Sequence, residues 1–150
     1  NEIINGLVFS YTNYAPMWAT PQGSAYTIFI GLNLEISLMF SIMGIVVAKT
    51  LPVDRELRIL GMPNRWLVAL AASVFCLLIE LWLNAIGQLT WDYWWWNAQR
   101  PYLIFVFGYL WFFAFAFWVH DLPTVRSKAI AVLTLAAIDV ALIVIFSARL

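Results

Sequence analysis

Three carboxylic acids in this chain occupy places where a carboxylic acid is expensive. Glu35, Glu80 and Asp139 each fall inside a long apolar stretch, and a charged side chain near the bilayer centre costs about 2.5 to 3.5 kcal/mol by insertion scales. Counted at about 1.5 Å per residue from the middle of its stretch, each lies within roughly 4 Å of a shared midplane. No Lys, Arg or His falls at that depth, so the three are not all expected to carry charge there. Such a set suits proton donation to an apolar substrate, a relay for protons or cations, or a counter-charge for a cationic ligand. The plain structural alternative is a protonated cluster that fixes helix register.

The stretch around Glu80 has the sharpest pattern. Ser73, Cys76, Glu80, Asn84 and Gln88 follow at steps of three, four, four and four, which stacks them on one helix face with Gly87 beside them. The face runs into Trp91-Asp92-Tyr93-Trp94-Trp95-Trp96-Asn97, an aromatic cluster of the kind that marks a membrane interface. A polar pocket opening outward and reaching down to Glu80 is one reading, with Asn84, Gln88, Trp91 and Asp92 along its wall. Interhelical hydrogen bonding is the other.

A further aromatic stretch offers Phe105, Phe107, Tyr109, Trp111, Phe112, Phe113, Phe115 and Phe117. Aromatic faces stabilise positive charge, which makes Tyr109 and Trp111 candidates for the wall of a site that holds a carbocation or an ammonium. Because the rings occupy every side of the helix, most are expected to pack against helices and lipid. Asn33, Ser37, Ser41, Gly44 and Ala48 read as a seam for close helix packing. Glu35, about 200° from Asn33 on an ideal helix, turns away from that seam toward a pocket, a missing helix, another subunit or lipid. Asp139 stands among Ala136, Ala137 and Ala141, which leave room for a close helix or a ligand.

Other chemistry is thinly supplied. The single Cys76 allows neither an internal disulfide nor a Cys-based metal site, and one His excludes bis-His haem ligation. No cofactor and no metal are expected. His120-Asp121 reads as a helix end, where a His complements the dipole and Asp121 accepts its proton. Eight basic against eight acidic residues leave a net charge of 0, so no basic face exists for nucleic acid.

The elements that must position these residues follow from composition. With 64% hydrophobic and 11% charged residues, the chain lies outside soluble composition. Four stretches approach the roughly 20 residues needed to cross a hydrocarbon core: Ala25 to Thr50, Trp66 to Thr90, Pro101 to His120 and Ser127 to Ala148. Pro21, Gly23, Pro52, the Gly61-Met62-Pro63-Asn64 turn and Pro123 punctuate them. Short connections predict an all-α, up-down bundle of four transmembrane helices forming a single domain over residues 1–150.

Lys49, Arg55, Arg58, Arg65, Arg126 and Lys128 border the first and third connections, against Arg100 and Arg149 on the other side. The positive-inside rule then places loops 51–65 and 121–126 in the cytoplasm, and segment 1–24, the Trp91 to Arg100 loop and the C-terminus outside. An exported start calls for a removed signal sequence or an earlier span, a fifth, ending in Asn1 to Val8; an interfacial amphipathic segment is the other reading. Tyr11, Tyr14, Pro16, Trp18 and Pro21 form either a lid over the bundle or a strip in the headgroups.

The expected partners are membrane lipids, a hydrophobic small molecule and other membrane subunits. One functional reading is proton-transfer chemistry, of isomerase or cyclase type, on an isoprenoid or sterol-like substrate, with Glu80, Asp139 and Glu35 as the acids. A second is a non-catalytic subunit that binds lipid, pigment or partner helices. The third, a proton or cation conductor, is weakened by the apolar inner half of the Glu80 helix, Trp66 to Ala72.

Overall fold

The computed structural model describes residues 1–21, 26–29 and 31–147. Helix α1 covers Glu2–Thr12. A small hairpin pairs β1 (Thr27–Phe29) with β2 (Leu32–Asn33) and leads into α2 (Leu34–Lys49). A second hairpin, β3 (Arg58–Ile59) with β4 (Met62–Pro63), precedes α3 (Asn64–Ala85). The next helix begins as a π-helical segment, Ile104–Leu110, and continues as α4 (Trp111–Asp121). α5 spans Val125–Phe146.

The turns explain most boundaries. α2 starts at Leu34 because the Asn33 side chain accepts from the Ile36 amide at 2.7 Å, a side-chain N-cap. The predicted span therefore begins nine residues too early, in a segment rich in β-branched and aromatic residues; Gly23 and Ala25 themselves lie outside the described residues. α3 stops at Ala85, short of the predicted Thr90. Gly87, at φ +76°, lets the Gln88 amide reach the Leu83 carbonyl and its own amide reach that of Asn84. That pair of bonds is the Schellman closure, which needs the left-handed region glycine enters freely. Leu60 and Gly61, both at positive φ, form the two-residue turn between β3 and β4. Pro123 and the reciprocal Thr124–Ser127 bonds of a capping box start α5 where the sequence places it. The predicted end at Ala148 lies outside the described residues.

Among the described residues three helices are long and apolar enough to cross a membrane: Asn64–Ala85, Ile104–Asp121 and Val125–Phe146. α2, at 16 residues, spans about 24 Å, less than a hydrocarbon core of about 30 Å. The interior lies between α3 and the π–α4 helix. Tyr109, Phe113 and Phe117, spaced by four, present one buried face to Ala69 and Cys76 of α3. α4 also meets α2 and α5, whereas α2 makes its main helix contacts with α4 rather than with its sequence neighbour α3. A cavity lies between α2 and α3 instead.

Candidate functional site

That cavity, about 610 Å³, is walled by α2 from Asn33 to Met43 and by α3 from Cys76 to Leu83, with Tyr109 of the π-helical segment and Gln88 completing it. Its lining is mostly apolar, and Glu35, Glu80, Gln88 and Tyr109 of the predicted site residues share it. Glu80 is half-buried one helical turn beyond the buried Cys76, and the Tyr109 side chain lies beside its carboxyl. The Phe40 ring stacks on Tyr109 at 6.1 Å between centroids, so two aromatic faces border the carboxyl.

Tyr109 comes close to Glu80 through the π-helical segment. A π turn inserts an extra residue into the i→i−4 ladder and re-aims the side chains beyond it. The Phe107 carbonyl accepts from Asn1 Nδ2 at 3.2 Å, tying that segment to the start of the chain.

Glu35 occupies the first turn of α2 rather than its middle. The midplane depth expected for it assumed a helix that starts nine residues earlier. It is exposed at the rim of the cavity, where the positive end of the helix dipole favours a carboxylate. Asn33 precedes the helix as its cap, so it lines the same cavity as Glu35 despite the ideal-helix angle between them. Of the expected packing seam, Ser37 and Ser41 bond to carbonyls of their own helix, and Gly44 lies 3.5 Å (from an added Cβ) from Phe112.

The other predicted residues are placed differently. Asn84 donates to the Leu89 carbonyl at 2.9 Å and holds the end of α3. Asp92 is exposed, and Asp139 is exposed on α5 and lines neither this cavity nor its neighbours described below. Trp111 is exposed on a separate aromatic groove, about 640 Å³, that also includes Trp66, Trp95, Trp96 and Phe107. Trp91 lines a small cavity of about 50 Å³ beside Glu80.

Glu2 is the residue that sequence reasoning missed. It lines that small cavity with Glu80 and Tyr109, and Trp18 Nε1 donates to its Oε2 at 3.3 Å. Burial, opposed by the Trp18 bond, pushes the Glu2 carboxyl above the usual range. The fully buried Asn5 brings it there. Asn5 Oδ1 accepts from the amides of Met17 and Trp18, at 2.7 and 3.2 Å, and its Nδ2 donates to the Trp18 carbonyl at 2.9 Å. A Cβ on Gly31 would stand 2.5 Å from Asn5 Nδ2 and 2.6 Å from Trp18 Nε1, so only glycine fits behind this corner. Residues 13–20 fold over the Trp loop: Ala19 bridges to Thr90, and Tyr93 Oη donates to the Ala15 carbonyl at 2.8 Å. Of the residues expected to form a lid or a headgroup strip, Pro16 is buried and Trp18 is half-buried against Trp96.

A family model described as "Uncharacterized membrane protein family" matches residues 1–148. The chain belongs to this membrane protein family. A relative from Archaeoglobus fulgidus, described as "Uncharacterized protein", is 49% identical over 147 residues, which cover 98% of this chain and 70% of the relative. Another from the same organism, with the same description, is 44% identical over 46 residues, 31% of this chain and 82% of its own length. No solved structure matches. For a membrane protein the outward hydrophobics of α5, such as Leu133, Val140 and Val144, all exposed, follow from lipid as solvent.

At the opposite end of α3 the polar groups are arranged otherwise. Asn64, fully buried, donates to the carbonyls of Asp54, Arg55 and Leu57. Arg65 grips Asp121 through Nε and Nη2 at 2.9 and 3.0 Å and also donates to the Pro52 carbonyl. Arg55 and His120 lie 3.6 and 3.0 Å from the same carboxylate. His120 thus meets Asp121 as expected of a helix end, with Arg65 as a partner the sequence did not disclose. Among the described residues no group of three or more His, Cys, Asp or Glu is placed to hold a metal.

Proposed function

We propose that this protein takes an apolar, isoprenoid- or sterol-like molecule into the cavity between α2 and α3 and moves a proton to and from it through Glu80. One observation supports this most: a largely apolar cavity of about 610 Å³ contains a single half-buried acid, Glu80, flanked by the Tyr109 and Phe40 rings, with no Lys, Arg or His on its walls. Along α2 the cavity runs ten residues, about 15 Å, a length that fits an extended prenyl chain. The balanced reaction is an isomerisation. The carboxylic acid gives its proton to one alkene carbon, the adjacent cation is held by aromatic faces, and loss of a neighbouring C–H proton restores both the double bond and the acid. Glu35 at the rim is the second acid; Gln88 lines the outer part of the cavity.

In this reading α2 and the β1–β2 hairpin together make a fourth crossing, completing an up-down bundle of four spans. The basic residues around loops 51–65 and 121–126 favour a cytoplasmic position for that end, with the Trp loop and both termini outside. The test is turnover by purified protein on a prenyl substrate. Glu80→Gln should abolish product formation in a folded protein, and unchanged product formation would refute the proposal.

A second reading, a non-catalytic subunit of a larger complex, draws on α5. That helix has no buried residue and exposes Asp139 on a long apolar surface, where a partner helix would relieve the cost of the carboxyl. Native mass measurement after gentle solubilisation separates the two, since a lone ligand-loaded monomer counts against a subunit. Proton or cation flux in proteoliposomes that vanishes in Glu80→Gln would favour a conductor instead.

A further inference from the structure

Two buried donors beside Glu80 have no acceptor. The indole N–H groups of Trp91 and Trp96 are buried and unbonded among the described residues, and Trp96 is only 5% exposed. Buried donors in native proteins are almost always paired, so an unpaired couple in one place points to something that completes them. Both rings line the same cavity of about 50 Å³, together with Glu2, Glu80 and Tyr109. A single water needs about 10 to 15 Å³ of such space, so this cavity has room for a small hydroxyl-bearing end group. It adjoins the large cavity along Trp18, Phe40, Glu80 and Tyr109, which line both.

The chemistry of the walls selects among possible end groups. An apolar end would leave the indoles unpaired. A carboxylate or phosphate end would bring a full negative charge out of water into a largely apolar space, with no Lys, Arg or His among the walls to offset it. A hydroxyl satisfies both sides: its oxygen accepts from an indole N–H and its hydrogen goes to a carboxyl oxygen.

We propose that the small cavity is the head-group subsite of the large one and takes the terminal hydroxyl of a prenyl alcohol, held between the Trp91 and Trp96 indoles and the Glu2 and Glu80 carboxyls. The inference rests on the large cavity being the site of an isoprenoid chain. It names the class of molecule: an alcohol, in preference to a hydrocarbon, an acid or a phosphate ester.

Equilibrium binding of farnesol, the matching hydrocarbon farnesene and farnesoic acid to the purified protein in nanodiscs tests this. Farnesol should bind about tenfold more tightly than farnesene, as expected for hydrogen bonds that would otherwise be lost to buried partners, and farnesoic acid more weakly than farnesol. Trp96→Phe keeps the ring and removes the N–H; it should bring farnesol down to the farnesene level and leave farnesene binding unchanged, which also reports that the variant is folded. Glu2→Gln, from a different element, should lower farnesol affinity about threefold, since an amide still accepts a hydrogen bond. Equal, saturable binding of farnesol and farnesene would mean that the small cavity holds only solvent; the head-group inference would fall while the chain site stood. Wild-type affinity of Trp96→Phe for farnesol would overturn it as well. Absence of saturable binding by all three ligands would overturn both.

Discussion

Two fully buried asparagines, Asn64 at the start of α3 and Asn5 on α1, each stand near a carboxylate on another element, Asp121 and Glu80, and the two surroundings are arranged in opposite ways. Around Asn64 every polar group is matched: three carbonyls receive its amide, and Asp121 collects Arg65, Arg55 and His120. Around Asn5 the backbone is equally well matched, yet just beyond it two carboxyls share a cavity with no Lys, Arg or His on its walls, and two indole donors lack acceptors among the described residues. Saturated polar clusters fix structure. The unsaturated one is where the head-group proposal places a further molecule.

Substitutions should separate the two surroundings by their effect on stability. The largest loss is expected for Asn64→Ala, which removes a fully buried side chain together with the bonds it gives to the Asp54, Arg55 and Leu57 carbonyls; about 3 kcal/mol should appear in thermal or denaturant unfolding. Asp121→Asn comes next, at about 2 kcal/mol: it removes the charge that holds Arg65, whose side chain is 16% exposed, while its own partial exposure moderates the cost. Gly31→Ala should cost about 1 to 3 kcal/mol through overpacking against Asn5 and Trp18, and it should also distort the Glu2 corner and weaken ligand binding. Glu80→Gln and Trp96→Phe sit at the bottom of the series, within about 1 kcal/mol of wild type in either direction. A large stability loss from either of those two would erase the contrast, since it would make the Glu80 end as structural as the Asn64 end.

Much of this was legible from side-chain spacing. The face carrying Ser73, Cys76 and Glu80 is the inward face of α3, because a 3.6-residue period survives any packing arrangement, and Pro123 marked the break before α5. What spacing cannot show is contact between elements distant in the chain. Glu2 reaches Glu80, and Arg65 reaches Asp121, through tertiary packing that leaves no periodic trace. The start of α2 was hidden because an apolar run such as Tyr26 to Leu34 suits strand and helix equally; a β-hairpin and an Asn cap decide it. That error carried Glu35 from the helix terminus to an imagined midplane. Asp139 shows a different limit: its place on an apolar helix was readable, but the side of α5 it occupies depends on which neighbours are present.

Deuterium exchange tests the central claim most directly. A prenyl substrate incubated with the purified protein in D2O acquires deuterium at an alkene-adjacent carbon if Glu80 passes protons to and from it. Mass spectrometry of the recovered lipid should show label with wild type and with Asp121→Asn, assayed below its lowered melting temperature, and none with Glu80→Gln. Label transferred equally by Glu80→Gln, or by no form of the protein, would contradict the account.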